Sequence, residues 1–144
     1  INNYFIEKYF LPKLPIKMLK YLFKFANTSI DISDGLICDL EKLINNQSLS
    51  FNIFEKKIPV SKFLSKIIKD KKLKKIDLVS NGDDYQILFT ADQKKSRIIR
   101  NISQIEGIKI SKIGRIISGK NKSKIIGEKG EQLLTKNRGY IHQF

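Results

Sequence analysis

The chain has 144 residues and a net charge of +14, with 41% hydrophobic residues spread evenly along its length. That excludes a disordered polyelectrolyte, and the length suits one domain, residues 1–144, burying about 70% of its unfolded surface. No apolar run is long enough to span a bilayer, and the first ten residues lack the pattern of a secretory signal. A single cysteine, Cys38, excludes an internal disulfide and points to a reducing cytoplasm.

In chain order, Pro15 can open a helix with Ile16, Leu19, Leu22 and Phe23 at helical spacing. Thr28–Ser33 reads as a strand running into the turn Asp34-Gly35. A helix follows with Leu36, Ile37, Leu40, Leu43 and Ile44 on one face, ending at Asn45-Asn46. Leu49, Phe51 and Ile53 alternate as in a half-buried strand. After Pro59, Val60, Phe63, Leu64, Ile67 and Ile68 mark another helix. Lys69–Lys75 is a solvated, charge-rich stretch. Tyr85–Thr90 is strand-like after the turn Asn81-Gly82. Ile98, Ile99, Ile102 and Ile105 give a further helix, and isoleucine-rich strands follow at 108–117 and near Ile125. Alternating helices and strands predict an α/β (α+β) fold, a mixed sheet flanked by helices.

The basic excess is 24 Lys against 4 Arg, alongside 25 Ile. Phosphate and base recognition favours the planar fork of Arg, so the excess reads as compositional drift and solvated surface, not a nucleic-acid site. The acids are more telling. Phe25–Glu41 holds no Lys or Arg but has Asp31, Asp34, Asp39 and Glu41, and Ile76–Gln93 has Asp77, Asp83, Asp84 and Asp92. Windows of this kind suit bound cations. In the first, strand alternation puts Asp31 and Ser33 on one face, with Asp34 at the turn into a helix. Carboxylates suit Mg²⁺, and free helix N–H groups suit phosphate. Helix capping accounts equally for Ser33 or Asp34, though not for Asp31. In the second window an ordinary Asn-Gly turn accounts for the pattern, although the adjacent carboxylates Asp83 and Asp84 are easier to keep beside a cation.

Taken together, the runs IDISDGL and GDDYQILF resemble the signature of thiamine-monophosphate kinases, whose second motif usually reads GEDYELLF. Lys112–Ile116 (KIGRI) is similar to a family strand, and Gly139–Phe144 (GYIHQF) to its terminal motif. The resemblance implies a fold like the C-terminal domain of aminoimidazole-ribonucleotide synthetase. It implies an enzyme moving a phosphoryl group from ATP to thiamine monophosphate. It further implies a missing N-terminal domain that forms a homodimer and holds most Mg–ATP ligands. On it, Asp31 and Asp34 hold magnesium, Ser33 touches ATP, Asp83 binds the substrate and Tyr140 contacts the thiamine moiety. Asp83 stands in place of Glu, Gln86 replaces a Glu, and Gln143 is inserted between His142 and Phe144. Other readings are another ATP-dependent enzyme of the superfamily, a non-catalytic paralogue and a basic nucleic-acid-binding module. The P-loop-like spacing at Gly114–Lys120 lacks the Ser/Thr and the helix it needs.

Overall fold

A computed structural model describes residues 2–45, 47–119 and 122–135. The elements in order are α1 (Asn2–Phe10), α2 (Ile16–Phe25), β1 (Ala26–Asp31), α3 (Leu36–Leu43), β2 (Leu49–Phe54), α4 (Lys62–Asp70), α5 (Lys75–Val79), β3 (Ile87–Ala91), α6 (Ser96–Glu106), β4 (Gly114–Ser118), β5 (Lys124–Ile126) and β6 (Gln132–Leu133). The chain divides into two units. The first holds the described residues up to Ser33 and Asp83–Ile110; the second holds Asp34–Gly82 and the described residues from Ser111 onward.

In the first unit β1 and β3 form an antiparallel pair with Ser29 opposite Phe89, Ile30 opposite Leu88 and Asp31 opposite Ile87. Met18 and Phe25 of α2 and Ile102 of α6 are buried at its core, with Ile87, Phe89, Ile98 and Ile99 packed on them. The Phe25 and Phe89 rings meet at 5.1 Å. Of the α2 residues at helical spacing, Leu22 packs on this core, whereas Ile16, Leu19 and Phe23 stay exposed. Lys17, Lys20 and Lys24 take one side of this helix, and Ile98, Ile99 and Ile102 of α6 meet the face that carries Met18 and Phe25. The two helices are also tied by polar contacts, since the Tyr21 hydroxyl donates to Glu106 and the Lys20 ammonium lies 3.1 Å from it. These two hydrogen bonds hold the Glu106 carboxyl below its ordinary range.

In the second unit the sheet order is β4-β2-β5-β6, antiparallel at β2/β4 and β5/β6 and parallel at β2/β5. The expected mixed sheet with flanking helices is therefore present, joined by a second, two-stranded sheet in the other unit. Alternation along β2 buries Phe51 and Ile53. Gly114 lies opposite Ile53, where an added Cβ would sit 2.2 Å from the Asn52 carbonyl oxygen. Leu36, Ile37, Leu40 and Leu43 of α3 are buried as their spacing predicts. Ser61 caps α4 by accepting from the Leu64 N–H at 3.1 Å. The helix α5, hidden at the edge of the lysine-rich stretch, buries Ile76 and Val79. Among the described residues no helix is long and apolar enough to cross a membrane.

Candidate functional site

In the first unit the Asp31–Ser33 part of the first acidic motif lies beside Asp83–Gln86 of the second. Beyond β1 and β3 the antiparallel ladder continues. The Ile32 N–H donates to the Gln86 carbonyl (2.9 Å), the Tyr85 N–H to that of Ile32 (2.8 Å), and the Asp83 N–H to that of Ser33 (2.9 Å). Asp31 is exposed at the end of β1, and Asp83 and Asp84 are exposed on the facing segment. Asp83 and Tyr85 both take left-handed backbone, at φ 66° and 49°. Asp tolerates this region, but a bulky aromatic rarely does, and such residues gather where geometry serves function. The Tyr85 hydroxyl donates to Asp83 Oδ1 at 3.1 Å. That bond to the carboxylate raises the Tyr85 phenol above its usual range. Asp84 is exposed as a residue, but its carboxyl is partly desolvated, and this, then the neighbouring charge of Asp83, pushes it up.

The second unit takes over at Asp34. Gly35 stands at the start of α3 with φ 120° and ψ 149°, a region open to glycine alone. Its close neighbour is the Ser80 carbonyl, whose oxygen would lie 2.3 Å from any added Cβ. Gly35 carries no side chain to cap α3, and the group that closes this end comes from within the helix. Asp39 is fully buried, and its Oδ2 accepts from the backbone N–H groups of Asp34 (3.0 Å) and Gly35 (3.1 Å). These two N–H groups, which lie just ahead of the helix, are thus engaged by protein. Lys42 reaches back along α3, donating to Asp39 Oδ1 at 3.0 Å and to Asp34 Oδ2. The hydrogen bonds to Asp34 and then Asp39 raise the Lys42 ammonium further above its ordinary value. Oxygens of Asp34 and Asp39 and the Cys38 sulfur lie within 4.8 Å of one another. Burial pushes the Cys38 thiol up, and a soft sulfur is a poor ligand for a hard cation.

The role of Asp39 gives a stability prediction. Asp39→Asn should cost about 1–3 kcal/mol, because an amide keeps one oxygen for two N–H donors but sets a neutral group against Lys42. Urea unfolding of the variant, with the slope m unchanged, checks it.

No family model matches the chain. Among curated proteins it is 32% identical over 145 residues to the thiamine-monophosphate kinase of Buchnera aphidicola subsp. Acyrthosiphon pisum, covering 99% of this chain and 43% of that one. It is 30% identical over 101 residues to the enzyme of the same name from Aquifex aeolicus, covering 69% and 33%. The chain belongs to the thiamine-monophosphate kinase family. Its fold is also that of solved thiamine-monophosphate kinases, which have the aminoimidazole-ribonucleotide synthetase-like fold. The structure of AaThiL complexed with AMPPCP and TMP matches at TM-score 0.70 and 25% identity, over 94% of this chain and 40% of that one. The enzyme of Stenotrophomonas maltophilia K279a matches in fold at TM-score 0.70. The chain spans about two fifths of the length of the curated relatives it matches first.

Of the residues that the family resemblance singles out, Asp31, Ser33 and Asp83 fall in the first unit and Asp34 in the second. Tyr140 lies outside the described residues, as do His142 and Gln143. The fold gives parts to Asp39, one acid of the first window, and to Lys42 and Tyr85, for which the sequence reading assigned none. The donor set near Asp34 fits a hard divalent cation, since its carboxylate oxygens already engage a cation, the Lys42 ammonium.

Proposed function

We propose that residues 1–144 form the C-terminal domain of a two-domain, magnesium-dependent kinase that transfers a phosphoryl group from ATP to thiamine monophosphate, giving thiamine diphosphate. In this reading an N-terminal domain carries most nucleotide ligands and the homodimer contact, and the enzyme works in the cytoplasm. Family membership across 99% of the chain supports it, as does a structural relative that binds AMPPCP and TMP. The observation that carries it is the pairing of the two acidic motifs, in which the Asp83 N–H meets the Ser33 carbonyl. That ladder holds a candidate substrate residue beside a candidate nucleotide residue on one backbone frame.

The attacking group is a phosphate oxygen of thiamine monophosphate, already anionic at neutral pH, so no strong base is required. It attacks the γ-phosphorus of ATP in line, and ADP leaves with the electron pair of the broken P–O bond. Asp31 and Asp34 are the residues that would hold magnesium, and Ser33 would donate to a nucleotide oxygen. When bound, the metal ions neutralise the charge crowding at the transferring group. Asp83 would accept from the aminopyrimidine of thiamine and lie near its cationic thiazolium. Tyr140 would pack on the thiamine moiety.

Asp83→Ala in the full-length protein should raise KM for thiamine monophosphate about tenfold or more, since a charge-assisted hydrogen bond is worth ~1.5–3 kcal/mol. KM for ATP should stay nearly constant, and Asp83→Glu should be tolerated. Steady-state kinetics with each substrate varied in turn checks this. A rise confined to KM for ATP would move Asp83 to the nucleotide side.

A further inference from the structure

We propose that Lys42 is a built-in counter-cation for Asp34, and that a divalent ion must displace it before Asp34 can serve as a metal ligand. This rests on the reading of Asp34 as a magnesium ligand and adds a residue that sets the affinity of that site. Lys42 lies in the last turn of α3, where a lysine would ordinarily serve the helix C-terminus and solvent. Its side chain instead runs toward the helix start, and Nζ contacts Asp34 Oδ2 and Asp39 Oδ1 together.

The surroundings explain why a cation is held there. Asp39 is fully buried, and its Oδ2 is committed to two backbone N–H groups, which fixes the carboxylate in place. Its other oxygen and the Asp34 carboxylate lie in one cluster, where two negative charges so close repel each other. Positive charge relieves that repulsion, and either an ammonium or a divalent ion can supply it. A divalent ion supplies twice the charge and accepts oxygen ligands directly. The Lys42 side chain is 46% exposed while those of Asp34 and Asp39 are 15% and 0% exposed. The lysine is therefore the mobile partner, and its four-carbon stem can carry the ammonium into solvent.

The test is Mn²⁺ binding to the full-length protein, read by calorimetry and by the paramagnetic resonance of free Mn²⁺, with no turnover involved. Lys42→Met should tighten the site that depends on Asp34 about fivefold, as expected from removing an exposed ion pair that competes for the same carboxylate. Lys42→Arg should leave affinity near wild type. Without divalent ions Lys42→Met should melt below wild type, and saturating Mn²⁺ should raise its Tm more than it raises that of wild type. Lys42→Gln serves if the Met variant does not fold. Unchanged or weaker Mn²⁺ binding in both neutral variants, with Asp34→Asn still abolishing one class of sites, would overturn the role of Lys42 and leave the metal reading standing. If Asp34→Asn itself left Mn²⁺ binding intact, the metal reading would fall and the role of Lys42 with it.

Discussion

Gly35→Ala should destabilise the protein by about 4 kcal/mol, combining the cost of forcing a side chain into a glycine-only backbone region with that of overpacking against a fixed neighbour. At φ 120° and ψ 149° an alanine is strained even in open space. Here the added Cβ would also sit 2.3 Å from the Ser80 carbonyl oxygen and 2.8 Å from its carbon, both backbone atoms that cannot rotate away. Ser80 is fully buried and anchored by its own hydroxyl, which donates to the Ile76 carbonyl at 2.8 Å. The segment has little room to yield, so the start of α3 must shift, carrying Asp34 and its N–H bond to Asp39 with it. Gly107→Ala is the matched control. It has φ 63° and nothing within 4 Å of an added Cβ, so only the left-handed penalty of about 1–2 kcal/mol applies. Urea denaturation of both variants should show the larger loss at Gly35, where the clash adds to a costlier backbone region. Equal losses in the two would show that the Ser80 contact has no energetic weight.

Asp34→Asn should lower kcat of the full-length protein on the order of 100- to 1,000-fold, the range for losing one preorganised electrostatic contact to the transferring group. The substitution keeps shape and removes charge, so it tests the proposed metal role more cleanly than truncation. The magnesium concentration at half-maximal rate should rise as well, because an amide oxygen is a weaker ligand for a hard cation than a carboxylate. The backbone N–H of Asp34, which Asp39 accepts, is untouched, so stability should change far less than rate. Asp31→Asn should behave in the same direction. Rate-against-magnesium curves for both variants check this, and curves that overlay wild type would return Asp34 to a structural part in closing α3.

Much of this was legible in the residues. The spacing of Leu36, Ile37, Leu40 and Leu43 marked α3 and its buried face. Alternation in β2 marked Phe51 and Ile53 as core. The two Lys- and Arg-free windows marked the acidic motifs, which pair through Ser33 and Asp83. What stayed hidden has physical reasons. Asp39 reads in sequence as one more helical acid, because nothing local tells whether a carboxylate points to water or turns back onto the helix start. Lys42 vanished among 24 lysines, since its partner Asp34 lies eight residues away and its direction depends on rotamers. On α2 the spacing of Ile16, Leu19, Leu22 and Phe23 marked the helix, but its most buried residues are Met18 and Phe25, which meet α6. The short α5 and β6 carry too few residues for a period to emerge. Tyr85 was read only as part of a strand, whereas its left-handed backbone and bond to Asp83 arise from the turn it terminates.

Phosphoryl transfer itself tests the central claim most directly. The full-length protein, given magnesium, ATP labelled at the γ-phosphate and thiamine monophosphate, should form labelled thiamine diphosphate and ADP in equal amounts. Formation of ADP without labelled thiamine diphosphate, or transfer to another acceptor while thiamine monophosphate is left intact, would contradict the account.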